Sequence, residues 1–202
     1  TYVFCSDGDL MEGASHEAAS LAGHLGLGKL IWLYDNNNIT IEGEASLSYS
    51  DDVAKRFEGY NWHVQELTDG GNDIVAISDA FEIAKEVKDK PSIIILKTHI
   101  GYGSPKQDTS AAHGSPLGED NIKLTKEFYG WTEDSKFLVP DEVKTHMSTM
   151  IEKGVQLEEE WNSIYENYTN RYPQLAELFN SYLSQDLPED WDKAVPIYSP
   201  IR

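Results

Sequence analysis

Runs of consecutive apolar residues alternate with stretches of helical spacing through the first half of the chain. The apolar runs predict strands over 2–5, 30–34 and 92–96, and residues 62–67 are predicted as a fourth strand. Helices are predicted between them, over 16–25, 52–60 and 73–88. Apolar runs that are continuous, and do not alternate with polar residues, indicate strands buried on both faces, as in parallel sheets. The pattern therefore predicts an α/β fold with a doubly wound, mostly parallel sheet that ends near residue 98.

The pattern changes after this core. Residues 99–120 are rich in Gly, Ser, Pro and Ala and predict a long loop, of a length that is usually either functional or disordered. From about 141 to 183, apolar positions recur at helical spacing with breaks around Gly154 and Pro173, which predicts a C-terminal helical appendage. The tail resembles a linker. We divide the sequence into a partial α/β domain, 1–125, and a helical appendage and linker toward an absent domain, 126–202.

The composition is that of a folded protein with a strong negative charge. The 202 residues are 40% hydrophobic and 11% aromatic, which is enough for a packed core. With 35 acidic and 16 basic residues, the net charge of −19 opposes binding to nucleic acid and to anionic membranes. A phosphorylated ligand would have to be held by backbone amides, a metal ion, or basic groups from elsewhere.

The cellular setting is also indicated by the sequence. It contains no signal peptide and no apolar run long enough to span a membrane, and its one cysteine, Cys5, cannot form an internal disulfide. These features favour a cytoplasmic protein in which Cys5 is a small buried apolar residue. Because the chain opens inside a predicted strand without an initiator methionine, we expect a preceding segment.

Acidic and amide side chains follow the first two predicted strands. Ser6-Asp7-Gly8-Asp9 comes directly after the first strand, and Asp35-Asn36-Asn37-Asn38 comes after the second. Open α/β sheets bind ligands beyond the carboxyl ends of their strands, where Asp7 and Asn37 would lie side by side. Their oxygens suit Mg²⁺ or Ca²⁺, and Gly8 would allow close approach of a diphosphate. Turn formation alone is the competing interpretation, because Asp-Gly and Asn runs are common in turns.

These motifs resemble those of transketolases. The similar segments are DGDLMEGASHE at 7–17, LAGHL at 21–25, YDNN at 34–37, ITI at 39–41, IGYGS at 100–104 and HGSPL at 113–117. Asp7 and Asn37 have the spacing of the thiamine diphosphate motif, in which Gly-Asp-Gly is followed about thirty residues later by an asparagine. The resemblance extends over nearly the whole chain and implies the thiamine diphosphate-binding fold.

The resemblance implies a metal and cofactor site at the strand ends. Asp7, the side chain of Asn37 and the backbone carbonyl of Ile39 would bind Mg²⁺ or Ca²⁺. Gly8 and Asn37 would contact the diphosphate of thiamine diphosphate. Ser6 stands where the motif has its first glycine, and serine restricts the backbone more than glycine does.

The resemblance also implies roles for residues farther along the chain. Ile41 and Ile100 would pack near the thiazolium ring of the cofactor. His113 would be catalytic, reaching the cofactor and the substrate hydroxyls to move protons, which suits an imidazole with an ordinary pKa of about 6.5. Without the resemblance, His113 would be interpreted as an exposed loop histidine.

Glu12 and Glu17 match glutamates that, in the family, join a carboxylate network at a dimer interface and link two active sites. The competing interpretation is that they are acids near a helix start, stabilised by the helix dipole. Small residues of the same segment would allow close approach of a partner: Gly13, Ala14, Ala18, Ala19 and Ala22. His16 and His24 are expected to be structural.

The activity implied by the resemblance is that of a transketolase of the pentose phosphate pathway. A homodimer would use thiamine diphosphate to transfer a two-carbon ketol unit from a ketose phosphate to an aldose phosphate. Because the family's pyrimidine-binding domain is not in the chain, the chain alone is expected to be inactive. Two alternatives stay open: a related ketol transferase such as dihydroxyacetone synthase, and a non-catalytic remnant that serves dimerisation or ligand binding.

Overall fold

The computed structural model describes residues 1–68, 71–185, 187 and 190–198. Residues 199–202, the end of the predicted linker, lie outside the described residues.

Four parallel strands form one sheet in the described part of the chain. They are β1 (Tyr2–Ser6), β2 (Ile31–Asn36), β3 (His63–Leu67) and β4 (Ser92–Lys97), in the order β1-β2-β4-β3. Each of the pairings between these strands is parallel. The predicted strands are therefore confirmed, with ends that differ by at most two residues, and these four strands are parallel throughout.

Helices lie between the strands. They are α1 (Asp7–Met11) and α2 (Gly13–His24) before β2, α3 (Val53–Gly59) before β3, and α4 (Ile74–Glu86) before β4. Asp52 and Asp73 mark two of the helix starts, since their carboxylates accept hydrogen bonds from the amides of Lys55 and Ala76, at 3.0 and 2.9 Å. The three predicted helices are confirmed. The short α1 was not predicted, because Asp-Gly-Asp has the composition of a turn.

Apolar side chains cover both faces of the sheet. One face packs against α2 and α3 in a cluster of Cys5, Leu10, Ala19, Ala22, Tyr34, Val53, Phe57, Trp62, Ile93 and Ile95. The other face packs against α4 in a cluster of Ile31, Leu33, Ala80, Ala84, Ile94 and Leu96. Successive residues of a strand point to opposite faces, so the central strands β2 and β4 contribute to both clusters. The expected burial on both faces is wrong for the edge strand β1, which contributes Cys5 to the first cluster but has Phe4 76% exposed. Helices on both faces make this a doubly wound α/β sheet.

The chain divides into two compact units, residues 1–135 and 136–202. The first unit includes α5 (Glu119–Phe128), and the second contains α6 (Asp141–Arg171) and α7 (Pro173–Ser184). Within the second unit, the Tyr165 hydroxyl donates to Asn180 Oδ1 at 2.7 Å, which joins α6 to α7. The C-terminal helical appendage is thereby confirmed. None of the helices in the described ranges has both the length and the apolar character to cross a membrane.

The predicted break at Gly154 is wrong, because α6 continues through that residue. A glycine inside an exposed helix costs only about 1 kcal/mol relative to alanine, which a helix of 31 residues tolerates. Pro173 does separate the two helices. It stands at the first position of α7, where its missing N–H is not needed.

Candidate functional site

The carboxyl ends of β1 and β2 meet at the side chain of Asp7. The two strands are neighbours, with Ser6 opposite Asp35, so the residues that follow them lie close together. Asp7 is only 2% exposed. Its Oδ1 accepts a hydrogen bond from the Tyr34 hydroxyl at 2.5 Å, and its Oδ2 accepts one from the Asn38 amide at 2.9 Å. One carboxylate therefore joins the start of α1 to the loop after β2.

Asn37 is oriented by its neighbours in that loop. Its Nδ2 donates to Asp35 Oδ1 at 3.4 Å, and its Oδ1 accepts from the Ile39 amide at 2.9 Å. The Thr98 hydroxyl, beyond β4, also donates to Asp35 Oδ1. Asp35 thus links the loop that carries Asn37 to the end of a third strand.

The chemistry of Asp7 fits a divalent cation. In the part of the chain that the structure describes, Asp7 forms no salt bridge, and its two hydrogen-bond donors are both neutral. A buried carboxylate without a countercharge is costly, and each of its oxygens has a further lone pair for a ligand. No three described His, Cys, Asp or Glu side chains are grouped to hold a metal by themselves. The remaining ligands would therefore be amide, backbone and diphosphate oxygens.

A cleft of about 780 Å³ opens beside this carboxylate. Its lining brings together seven of the residues predicted from the sequence: Gly8, Glu12, Asn37, Ile39, Ile41, Ile100 and His113. Asp7 is not part of the lining, since its side chain is buried and hydrogen-bonded to Tyr34 and Asn38. Ile41 is 68% exposed although it is apolar, and such a side chain in a cleft is suited to contact with a ligand.

The lining of the cleft is acidic. Five carboxylates contribute to it: Asp9, Glu12, Asp35, Glu42 and Glu44. None of the described residues that line the cleft is a lysine or an arginine. Local charge thus opposes a bare diphosphate, as the net charge also does, and a metal ion would offset that repulsion.

The replacement of the motif's first glycine by Ser6 causes no backbone strain. Ser6 has φ −125° and ψ −178°, an extended conformation that any residue adopts. Its amide and hydroxyl donate to Asp9 Oδ2 at 2.8 and 3.0 Å. At Gly8, by contrast, a Cβ atom would have no neighbour within 4 Å. The space beside Gly8 is therefore open to a ligand in the cleft.

Ile100 and His113 belong to a well-connected loop between β4 and α5. The Asp108 amide donates to the Ile100 carbonyl at 3.0 Å, and the Asp108 carboxylate lies 2.9 Å from His99 Nδ1. The Tyr129 hydroxyl donates to the Tyr102 carbonyl at 2.8 Å, which ties the loop to the end of α5. His113 is exposed, and its imidazole has no hydrogen bond to a described residue. The imidazole is therefore available to a ligand.

Glu12 and Glu17 are exposed, and neither carboxylate has a hydrogen bond or ion pair with a described residue. Glu12 precedes α2 without capping it through its side chain. Two of the small residues expected to face a partner do not do so, because Ala19 and Ala22 are buried in the core. That part of the expectation is wrong, whereas Gly13, Ala14 and Ala18 are exposed.

Two further titratable side chains of the first unit, His16 and Cys5, have structural roles. His16 Nδ1 lies 3.2 Å from the Tyr60 hydroxyl, and its Nε2 lies 3.3 Å from Arg56 Nη1, so it joins α2 to α3. His24 is exposed at the end of α2. Cys5 is buried, as predicted, and burial raises the pKa of its thiol to about 12.

The interpretation of the sequence missed Tyr34. Burial, followed by its hydrogen bond to Asp7, raises the pKa of Tyr34 well above its ordinary value, so the hydroxyl remains a donor. The available signal was a tyrosine at the end of an apolar strand, directly before the acid and amide run. Sequence alone could not show that its hydroxyl faces Asp7.

Comparison with known proteins identifies relatives over nearly the whole chain. The model of the family described as "Transketolase, thiamine diphosphate binding domain" matches residues 1–188. A transketolase of Nostoc is 49% identical over 201 residues, and one of Bacillus subtilis is 48% identical over 200 residues. These alignments cover 99% and 98% of this chain. The chain spans 30% of the length of each of these two relatives.

Solved transketolase structures have a similar fold. The enzyme from Pichia stipitis in complex with sedoheptulose 7-phosphate matches 100% of this chain and 30% of its own, with 42% identity and a TM-score of 0.88. The enzyme from Leishmania mexicana matches 98% of this chain and 30% of its own, with 38% identity and a TM-score of 0.89.

Proposed function

Because the chain belongs to the transketolase family of thiamine diphosphate-binding domains, we propose that it binds the diphosphate of thiamine diphosphate through a divalent cation. The proposed ligands of Mg²⁺ or Ca²⁺ are Asp7, the Asn37 side chain and the Ile39 carbonyl. The proposed contacts of the diphosphate are Gly8 and Asn37. All of these residues fall within 1–125, which we propose as the diphosphate- and metal-binding domain. Residues 126–202 would be the appendage and linker.

One observation carries this proposal. The buried carboxylate of Asp7 has only neutral partners among the described residues and lies beside an acidic cleft without a lysine or arginine in its described lining. A divalent cation would supply the countercharge for Asp7 and for a diphosphate at the same time.

The proposed activity of the whole protein is transfer of a two-carbon ketol unit from a ketose phosphate to an aldose phosphate. When bound, thiamine diphosphate supplies the carbanion chemistry for breaking and forming the carbon–carbon bond. Ile41 and Ile100 would give the thiazolium end apolar contacts, and His113 would hold or move a proton at its imidazole. The sugar phosphate named with the Pichia stipitis enzyme supports this substrate class. No observation favours the related ketol transferase or the non-catalytic remnant.

The proposed assembly is a homodimer in the cytoplasm. Glu12 and Glu17 would contribute carboxylates to the subunit interface, which is supported by their exposure and by their lack of partners among the described residues. The acidic net charge is compatible with this setting.

The test is Asp7→Asn in the intact protein, with thiamine diphosphate binding measured as a function of Mg²⁺ concentration. Loss of the charged ligand should raise the half-saturating Mg²⁺ concentration by more than about 10-fold, since even outer partners of ligands contribute that much. Asp79→Asn is the matched control, because Asp79 is an exposed carboxylate of α4 outside the cleft. Equal Mg²⁺ dependence in the two variants would refute the metal site.

A further inference from the structure

The hydrogen bond between Tyr34 and Asp7 is buried, and residues on both sides of Asp7 in the sequence, Ser6 and Gly8, line the cleft. Tyr34 and Asp7 are each 2% exposed, and the Tyr34 hydroxyl donates to Asp7 Oδ1 at 2.5 Å. The hydroxyl also lies 3.4 Å from Asn36 Oδ1, at the end of β2 directly before the proposed ligand Asn37. Tyr34 therefore contacts the proposed ligand Asp7 and the residue that precedes the proposed ligand Asn37.

The two donors to Asp7 hold its carboxylate from two directions. Tyr34 occupies one lone pair of Oδ1, and the Asn38 amide occupies one lone pair of Oδ2. A carboxylate offers about four acceptor positions, so lone pairs on both oxygens remain for an ion. Because both donors are neutral, they restrict rotation of the carboxylate without cancelling the charge that attracts a cation.

We propose that Tyr34 is a positioning residue for the divalent-cation site, and that its hydroxyl holds the Asp7 carboxylate in the orientation that ligates the ion. The inference rests on the proposed function, since it requires Asp7 to be a ligand. Groups that orient metal ligands typically contribute about 10- to 100-fold to metal affinity. Tyr34 acts through Asp7 and has no direct role in the chemistry.

The aromatic ring of Tyr34 has a separate role in the core. It packs in the cluster that includes Phe57 and Ile93, so replacement of the whole side chain would disturb the fold. Tyr34→Phe keeps the ring and removes only the hydroxyl. The effect on metal binding can therefore be separated from the effect on packing.

The experiment measures binding of thiamine diphosphate to intact Tyr34→Phe protein by calorimetry over a series of Mg²⁺ concentrations. The half-saturating Mg²⁺ concentration should rise about 10- to 100-fold. Turnover at saturating Mg²⁺ and cofactor should stay near the wild-type value, because the ion then orders the carboxylate. Unfolding of the metal-free protein is measured in parallel.

Tyr49→Phe is the matched control. Tyr49 packs against the same cluster, and its side chain interacts with Arg56, which lies 5.6 Å from the Tyr49 ring, and makes no hydrogen bond to Asp7. This variant should keep the wild-type Mg²⁺ dependence. The inference would be wrong if Tyr34→Phe had the same Mg²⁺ dependence as Tyr49→Phe while Asp7→Asn required more Mg²⁺. Tyr34 would then be only a core residue.

The double variant Tyr34→Phe, Asp7→Asn tests whether Tyr34 acts through Asp7. It should need no more Mg²⁺ than Asp7→Asn alone, because effects of residues that act through one contact are not additive. A further increase would contradict the inference. If Asp7→Asn by itself had no effect, the proposed metal site would fail, and the positioning role would fail with it.

Discussion

At the scale of single residues, Gly8 allows the fold and the ligand site to be tested separately. A Cβ atom at this position meets nothing within 4 Å, and Gly8 lines the cleft. Gly8→Ala should leave the free energy of unfolding unchanged or raise it by up to about 1 kcal/mol, because alanine is the better helix former. It should weaken thiamine diphosphate binding, which calorimetry would measure.

The control for Gly8→Ala is Gly59→Ala. Gly59 also has open space around its Cβ position, but it ends α3 and is outside the cleft. Equal cofactor affinity in the two variants would show that the diphosphate does not approach Gly8.

His113 should affect turnover more than cofactor binding. His113→Ala in the intact protein should lower ketol-transfer turnover about 10²- to 10⁴-fold, the usual contribution of a positioned acid or base. Cofactor affinity should fall much less, because the proposed metal ligands are at the strand ends. His146→Ala, a change at an exposed histidine of α6, should have neither effect. If His113→Ala kept normal turnover at saturating cofactor and substrate, the assignment of His113 to proton transfer would be wrong. The histidine would then have a structural or gating role.

At the scale of elements, the contact between β3 and β4 contains a pH-sensitive group. His63 begins β3, and its Nδ1 lies 3.1 Å from Ser92 Oγ. Partial burial, together with the nearby charge of Lys90, lowers the pKa of His63 below its ordinary value of 6.5. The unfolded chain therefore binds more protons at this residue than the folded chain does. This contribution to stability is fully present above about pH 6.5 and decreases as the pH falls below that value.

The His63 effect should be visible in the pH dependence of unfolding. Between about pH 7.5 and 5.5, the wild-type protein should lose more of its free energy of unfolding than His63→Gln, which cannot become charged. Urea unfolding at a series of pH values measures the difference, with His146→Gln as the control for an exposed histidine. Parallel pH profiles for the wild type and His63→Gln would contradict the prediction.

At the scale of the whole molecule, α2 presents a surface suited to a partner subunit. Leu21 is 56% exposed and shares a helix face with Glu17 at four-residue spacing, and Leu25, directly after the helix, is 58% exposed. The intact protein should sediment as a dimer, and Leu21→Glu should shift it toward the monomer by placing a charge on this face. Ile74→Glu, at an exposed position at the start of α4, should leave the dimer unchanged. A wild-type protein that is monomeric at active concentrations would contradict both the dimer and a site shared between subunits.

The sequence by itself determined the elements and the types of residue in the site. Continuous apolar runs indicated strands of a parallel sheet, and the predicted strand ends are within two residues of those observed, because the spacing of apolar residues is a property of local sequence. Predictions from local sequence were weaker where the same residue types occur both in turns and in helices. Asp-Gly-Asp was interpreted as a turn although it forms α1, and Gly154 as a break although α6 continues through it.

Only the tertiary structure decided the strand order and the contacts beyond the expected proximity of Asp7 and Asn37. In the order β1-β2-β4-β3, β2 lies between β1 and β4. The residues that follow these three strands, Asp7, Asn37 and Thr98, therefore lie at the carboxyl end of the sheet. Strand order depends on contacts between residues far apart in sequence, about which periodicity carries no information. The same holds for the Tyr34 hydroxyl: its position on β2 follows from local pattern, whereas its contact with Asp7 requires the neighbouring strand.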